Sequence, residues 1–199
     1  VPMYPQFSHT TTSTVTDEVT RFKSTLNIQT IEQYHAHSMY IDALKQSVLQ
    51  HWATVGRPDF AAGERLLLSF HGLPIRNIER GDPYQAQCVR TYELLTQALN
   101  LSSNEVNIAY QSRFGAQKWL QPSTQATLEQ YAAQNCTRVD VICPGFPADC
   151  LETLEEIAVE LKAVYEEKGG KNYHYIECLN TNQAHIGMLH QLVARFVRG

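Results

Sequence analysis

The sequence lacks any apolar run long enough to cross a membrane. A spanning helix needs about 20 consecutive apolar residues, and polar or charged residues interrupt every stretch before that length. The first residues show neither the basic segment nor the apolar core that directs export. We therefore expect a cytoplasmic protein, while peripheral contact with a membrane through an apolar lip stays open.

An excess of positive charge is also absent. The chain has 16 lysines and arginines against 20 aspartates and glutamates, and its formal net charge is −4. No group of basic residues forms the positive stripe that a phosphate backbone attracts. We therefore expect no nucleic-acid partner.

Cysteines are few and are not grouped. The five cysteines stand at positions 88, 136, 143, 150 and 178, without a CxxC pair. An odd number without such pairs disfavours both a disulfide framework and a zinc ribbon. We expect most of them to be reduced, buried, small apolar side chains. We expect no iron–sulfur cluster, which needs about four grouped thiolates.

Two kinds of short motif are missing as well. Neither GxGxxG nor GxxxxGK occurs, which disfavours a nucleotide cofactor. The serines lack the GxSxG context of a hydrolase nucleophile. The sequence gives no reason to expect a bound cofactor.

What the sequence does contain is a regular alternation of strand and helix patterns beyond residue 64. The strands are apolar on both faces, which is typical of a buried parallel sheet. This alternation predicts an α/β protein with an open parallel four-stranded sheet flanked by helices, a Rossmann-like architecture. The predicted strands are Arg65–Phe70, Val106–Gln111, Val139–Cys143 and Tyr173–Cys178, and the predicted helices are Tyr84–Leu99, Ser123–Asn135, Leu151–Lys168 and His185–Val197.

The first 55 residues give weaker signals. A helix is predicted over Val15–Leu26 after a threonine-rich segment, which can cap it. Ile28 and Ile31 suggest a short strand, and Tyr40–Val55 has a helical pattern. Residues 56–64, which include a proline, form a predicted linker.

Two residues stand where a ligand would bind in such a fold, outside the carboxyl ends of the strands. His71 ends the first strand, where an imidazole can transfer a proton or bind a metal. Glu152 begins the helix after the third strand. The alternatives are a strand-end histidine bonded to its loop and a carboxylate that only complements the helix dipole.

An acidic stripe continues along the helix that contains Glu152. Asp149, Glu152, Glu156 and Glu160 follow one another at three- or four-residue intervals, which places them on one face of an α-helix. A solvated surface is the alternative interpretation. The opposite, apolar face is predicted to consist of Leu151, Leu154, Ala158, Leu161 and Tyr165.

Several of these loops resemble those of the ferrochelatases, and the similarity extends along essentially the whole chain. The resemblance implies a chelatase-like fold and a lyase that inserts Fe²⁺ into protoporphyrin IX, the last step of haem biosynthesis. Ferrous iron and the porphyrin are then substrates, and no cofactor is required. The stretches that carry the resemblance are Leu67–Pro74, Arg80–Tyr84, Gln111–Gly115, Trp119–Leu120, Cys143–Phe146 and Asp149–Glu156.

The resemblance also implies roles for particular residues. His71 and Glu152 would face each other across the porphyrin cleft, carry the catalysis and bind the metal. Many family members have a histidine where this chain has Cys150, whose role stays open. A proton or metal path is expected along Asp149, Glu156 and Glu160, and a porphyrin contact at Trp119.

The resemblance further implies an amino-terminal segment of the same protein before Val1. Residues 1–55 would be the remnant of a first, similar domain, 56–64 a linker, 65–180 the second domain, and 181–199 a helix that packs back on the first. The isolated chain is then expected to be weakly active or inactive. The alternatives are a chelatase that inserts cobalt or nickel into another tetrapyrrole, and a non-catalytic tetrapyrrole- or metal-binding module.

Overall fold

A parallel four-stranded sheet forms the centre of the protein. The computed structural model describes residues 14–22, 30–113 and 115–197. The strands are β1 (Arg65–His71), β2 (Val106–Gln111), β3 (Arg138–Ile142) and β4 (Asn172–Ile176). Their order in the sheet is β2-β1-β3-β4, and every neighbouring pair is parallel. The α/β class and the four-stranded parallel sheet are confirmed.

Helices occupy most of the remaining described chain, and none of them has both the length and the apolarity that a membrane crossing requires.

The strand predicted at Ile28 and Ile31 is wrong at Ile31, which contacts the core without pairing to a strand. Ile28 lies outside the described residues.

The helices are α1 (14–21), α2 (Ser38–Val55), α3 (Ile75–Glu79), α4 (Tyr84–Ala98), α5 (Thr124–Ala133), a π-helix (Glu152–Glu160), α6 (Leu161–Glu167) and α7 (Gln183–Val197).

The sheet is covered on both faces because its side chains alternate between two apolar layers. In β1, Leu66, Leu68 and Phe70 point to one side and Leu67 to the other. Helices α2, α4 and α7 cover the first side, which we call the α2 face. Helices α5 and α6 and the π-helix cover the second, which we call the α5 face. Each connection between strands contains a helix, so all strands end on the same side of the molecule.

The cysteines follow the expectation from the sequence. All five are free; Cys88, Cys136, Cys143 and Cys178 are buried, and Cys150 is half-buried. Their burial in the two apolar layers is what small, weakly polar side chains favour.

A buried ion pair attaches α2 to the interior of the sheet. Arg138 Nε lies 2.8 Å from Asp140 Oδ1, and Trp52 Nε1 donates to Asp140 Oδ2 at 2.7 Å. Arg138 Nη2 also donates to the carbonyl of Gly56 at 2.8 Å, just beyond α2. A fully buried carboxylate such as Asp140 is tolerated only when it is paired and hydrogen-bonded in this way.

Helix α2 shares its apolar core with the sheet, and α7 packs against α2. Both contacts place the carboxyl-terminal helix and part of residues 1–55 in one packed layer. The proposed division into 1–55, 56–64, 65–180 and 181–199 stays a prediction.

The helix after β3 differs from its prediction in geometry. It starts as a π-helix, and Leu161 N donates to the carbonyl of Glu156, five residues back. The predicted apolar face is wrong at Leu151 and Leu154, whose exposed fractions are 75% and 51%. Each residue of a π-helix advances by less than the ~100° of an α-helix, so residues three apart no longer share a face. The buried positions are Thr153, Ile157, Leu161 and Tyr165.

The turn between α6 and β4 generates a stability prediction at Gly170. A Cβ at this position would lie 2.2 Å from Cε1 of Tyr165, which is fully buried and donates to the carbonyl of Cys136. Because the ring has no room to move away, we expect Gly170→Ala to lower the free energy of unfolding by about 1–3 kcal/mol. Urea unfolding measures the change.

Gly187→Ala is the matched control, since a Cβ at Gly187 in α7 meets nothing within 4 Å. This substitution is expected to raise the free energy of unfolding by about 0.5–1 kcal/mol, because alanine is the better helix former. Equal stability of Gly170→Ala and the unmodified chain would contradict the packing described for Tyr165.

Candidate active site

The turn that follows β1 holds His71 close to the neighbouring strand. Gly72 N donates to the carbonyl of Gln111 at 2.7 Å, and a Cβ on Gly72 would lie only 2.7 Å from that oxygen. Glycine is therefore required for this close approach. Nδ1 of His71 lies 2.7 Å from the carbonyl of Gly72. A proton on Nδ1 leaves the lone pair on Nε2, the tautomer that a base needs.

Gln111, at the end of β2, connects the strand of His71 to the helix of Glu152. It is paired in register with His71, and its side chain is buried. Its Oε1 accepts a hydrogen bond from Ser69 Oγ at 2.8 Å, and its Nε2 donates to the carbonyl of Glu152 at 2.7 Å. These contacts bring His71 and Glu152 to the same place at the carboxyl ends of the strands.

Glu152 is the half-buried first residue of the π-helix. A hydrogen bond from the Cys150 thiol lowers the pKa of Glu152, and a hydrogen bond from its own backbone N–H lowers it further. The carboxylate is therefore ionised at neutral pH. Burial raises the pKa of Cys150, and the bond to Glu152 raises it further. Cys150 thus serves as a protonated donor to Glu152.

Glu156 holds the loop that follows β2. Its two carboxylate oxygens accept hydrogen bonds from the backbone N and the hydroxyl of Ser112, at 2.6 and 2.5 Å. Ser112 has a φ of +60°, a left-handed conformation that costs a residue other than glycine about 1–2 kcal/mol. The two charge-assisted hydrogen bonds offset this strain. Glu160, at the end of the π-helix, is exposed.

Asp149 joins the loops that follow β3 and β4. Tyr175 and Thr153 donate hydroxyls to its Oδ1 at 2.5 and 3.1 Å, and Asn180 Nδ2 donates to Oδ2 at 2.6 Å. Burial would raise the pKa of Asp149, but hydrogen bonds from Tyr175, Asn180 and Cys178 outweigh it and hold the pKa below its ordinary value. Its oxygens are thus occupied in positioning the two loops.

Two aromatic rings lie beside the His71 turn. Trp119 is half-buried and forms a bridge with Pro74; its Cε3 would lie 3.3 Å from a Cβ on Gly72. The ring centroid of Phe146, in the loop after β3, is 6.3 Å from that of His71. Apolar surface therefore borders the imidazole from the loops after β2 and β3.

The structure brings together His71 and Glu152, and it places Trp119 beside the turn that follows His71. Asp149 and Glu156 have hydrogen-bond partners in adjoining loops. Sequence reasoning missed the bridging role of Gln111 and the role of Asn180, which pairs twice with Asp149. A signal for the first was present in the sequence. A glutamine at the end of an otherwise apolar strand needs buried partners for its amide.

The family model described as Ferrochelatase matches residues 1–196. The match includes every strand and every residue of the site.

Asp149 generates a pH-dependent prediction. Asp149→Asn keeps the shape of the side chain but directs an N–H group at donors, so we expect about 1–3 kcal/mol lower stability near neutral pH. Because the folded pKa lies below the ordinary 3.8, the contribution of the carboxylate is present above that value and is lost as the pH falls through the folded pKa.

Urea unfolding at a series of pH values from about 7 down to about 3 tests this expectation, since the shift acts only around the titration of the group. The difference between Asp149→Asn and the unmodified chain should shrink at the acidic end. Asp42→Asn, at an exposed position of α2, should change stability by less than about 0.5 kcal/mol throughout. A difference that is constant with pH would contradict the hydrogen-bonded carboxylate.

Proposed function

The chain belongs to the ferrochelatase family, which supports a metal chelatase of tetrapyrrole synthesis, and we propose that it inserts Fe²⁺ into protoporphyrin IX to form protohaem. The observation that carries the proposal is the meeting of the His71 imidazole and the ionised Glu152 carboxylate where the strands end. Iron and porphyrin are both substrates. We propose no bound cofactor.

Metal insertion requires the loss of two pyrrole protons from the porphyrin. It also requires the delivery of ferrous iron that has lost its coordinated water. We propose that His71 accepts a pyrrole proton at Nε2, because Nδ1 is directed at the carbonyl of Gly72. Glu152, ionised at neutral pH, holds the iron beside the ring or accepts the second pyrrole proton. Imidazole nitrogen and carboxylate oxygen both suit ferrous iron, and two ligands keep it exchangeable.

The remaining acidic residues support a path between this pair and solvent. Glu152 and Glu156 are half-buried and Glu160 is exposed, so exposure increases along the π-helix. We propose that protons or iron move along this series. Asp149 contributes by fixing the loop from which the series starts.

Trp119 supports a porphyrin-binding surface beside His71, where a half-buried indole can stack against the macrocycle. Contacts remote from the metal can supply the strain that bends the ring and exposes a nitrogen lone pair. A cytoplasmic location, peripheral membrane contact and the absence of a nucleic-acid partner stay predictions from the sequence.

Substitution of the pair tests the proposal, in the longest natural polypeptide that contains this chain. His71→Ala removes the proton acceptor and Glu152→Gln removes the negative charge, so each should lower the rate of Fe²⁺ insertion about 10²–10⁴-fold. The decay of porphyrin fluorescence measures the rate. His190→Ala, at an exposed position of α7, should retain the full rate.

The same assay separates the alternatives. Faster insertion of cobalt or nickel into another tetrapyrrole would replace iron and protoporphyrin as the substrates. Tight haem retention without any insertion would indicate a binding module. Full turnover by both His71→Ala and Glu152→Gln would refute the assignment of the pair.

A further inference from the structure

A second group of metal-binding side chains lies on the sheet, away from His71 and Glu152. Asp140 of β3 and His174 of β4 are direct neighbours in register, and His51 of α2 lies against them. One ligand atom from each of the three comes within 4.8 Å of the other two. In the described part of the chain, this is the one group of three or more such side chains that meets this distance.

The group is separated from the proposed catalytic pair by the sheet itself. Asp140 is paired in register with Leu66, which faces the α2 layer, and its carboxylate contacts Trp52 of that layer. His71 has the opposite parity in β1 and shares the α5 face with Leu67. The inference therefore does not depend on the proposed function.

The two imidazoles lie edge to face, and one of them has a buried nitrogen without a partner. Their ring centroids are 5.6 Å apart and the rings are nearly perpendicular, at 87°. Nε2 of His51 is buried and has no hydrogen-bond partner. A metal ion between the three side chains would give His51 a bond that the protein atoms do not supply.

The imidazoles are also in the protonation state that metal binding requires. Burial lowers the pKa of His51 and of His174, so both rings are neutral near pH 7. A neutral ring has a nitrogen lone pair available for a metal. Protons would therefore not compete strongly with a metal ion at neutral pH.

The carboxylate of Asp140 has capacity left for a metal. It accepts three hydrogen bonds: Arg138 Nε on Oδ1, and Arg138 Nη2 and Trp52 Nε1 on Oδ2. A carboxylate has about four acceptor sites, and Oδ1 carries only one bond. Arg138 and Trp52 orient the carboxylate, as the hydrogen-bonding neighbours of metal ligands commonly do.

The surrounding charge does not oppose a cation. Arg138 is positive, and so is Lys162, which acts on His174. Against these stand three carboxylates that act on the imidazoles: Asp140 on both rings, Glu177 on His51 and Glu64 on His174. Carboxylates are thus the majority of the charged groups acting on the two rings.

We propose that His51, Asp140 and His174 form a binding site for a divalent first-row transition metal, with zinc as the favoured ion. Two imidazole nitrogens and one carboxylate oxygen are a common zinc ligand set, and a water molecule completes a tetrahedral site. Zinc–ligand bonds of about 2.0–2.2 Å set ligand atoms about 3.3–3.6 Å apart. Because the ligand atoms already lie within 4.8 Å of one another, binding draws the three side chains together by at most about 1.5 Å.

A metal ion at this site would cross-link α2 to β3 and β4. The unfolded chain does not hold the three ligands together, so zinc binds the folded state and stabilises it by mass action. In addition, α2 would be held at His51 as well as at Trp52.

Zinc titration tests the proposal in a background in which the catalytic pair cannot bind metal. With His71→Ala and Glu152→Gln both present, calorimetry at about pH 7.5 should show one equivalent of Zn²⁺, since the rings are already neutral there. The midpoint of thermal unfolding should rise with Zn²⁺ concentration. Co²⁺ in place of Zn²⁺ should give visible absorption bands of a tetrahedral site.

His51→Gln and His174→Gln, each added to this background, should weaken zinc binding at least about tenfold and remove the cobalt bands. His190→Gln, the matched control on α7, should change neither. If His51→Gln does not fold, as judged by circular dichroism without metal, His174→Gln alone decides the outcome. The absence of a zinc equivalent, or binding that both glutamine variants leave intact, would overturn the site.

Discussion

The amide of Gln111 is the contact on which the candidate active site depends. Its oxygen accepts from Ser69 in β1 and its nitrogen donates to the carbonyl of Glu152. A buried amide that lost either partner would be costly, because its polar groups cannot reach water. Satisfying this one side chain fixes β1, β2 and the π-helix relative to one another. The position of Glu152 relative to His71 follows from that constraint.

Carboxylates organise the loops around this contact. Glu156 compensates the left-handed backbone of Ser112, and Asp149 pairs twice with Asn180, which also has a positive φ of 45°. These two strained residues are thus matched by charge-assisted hydrogen bonds, Ser112 to the π-helix and Asn180 to the loop after β3. The same bonds lower the pKa of Asp149, and those of Cys150 and the backbone lower that of Glu152. The hydrogen bonds that hold the loops in place therefore also help to keep the carboxylates of the site negatively charged.

The sequence was sufficient for the sheet and for placing His71 at a strand end, while the catalytic role of His71 and Glu152 stays a prediction. Runs such as Leu66–Phe70 are apolar on both faces, and a parallel sheet is the structure that buries both. His71 could be placed from its position at a strand end. The π-helix could not be predicted, because its residues have the composition of an α-helix and its geometry depends on anchors such as Thr153 and Ser112. Nor could the meeting of His51 with His174, which depends on how α2 packs on β4.

The π-helix also limits where the protein can accept an inserted or deleted residue. One end is fixed by Gln111 at Glu152, and the other by the buried rings and methyl groups of Tyr165 and Leu161. Deleting or inserting one residue between them would rotate one end against the other by somewhat less than the ~100° that one α-helical residue contributes. Either the Glu152 carboxylate would move away from His71 or the apolar residues would leave the core. We therefore expect the segment between Glu152 and Glu160 to accept substitutions more readily than insertions or deletions.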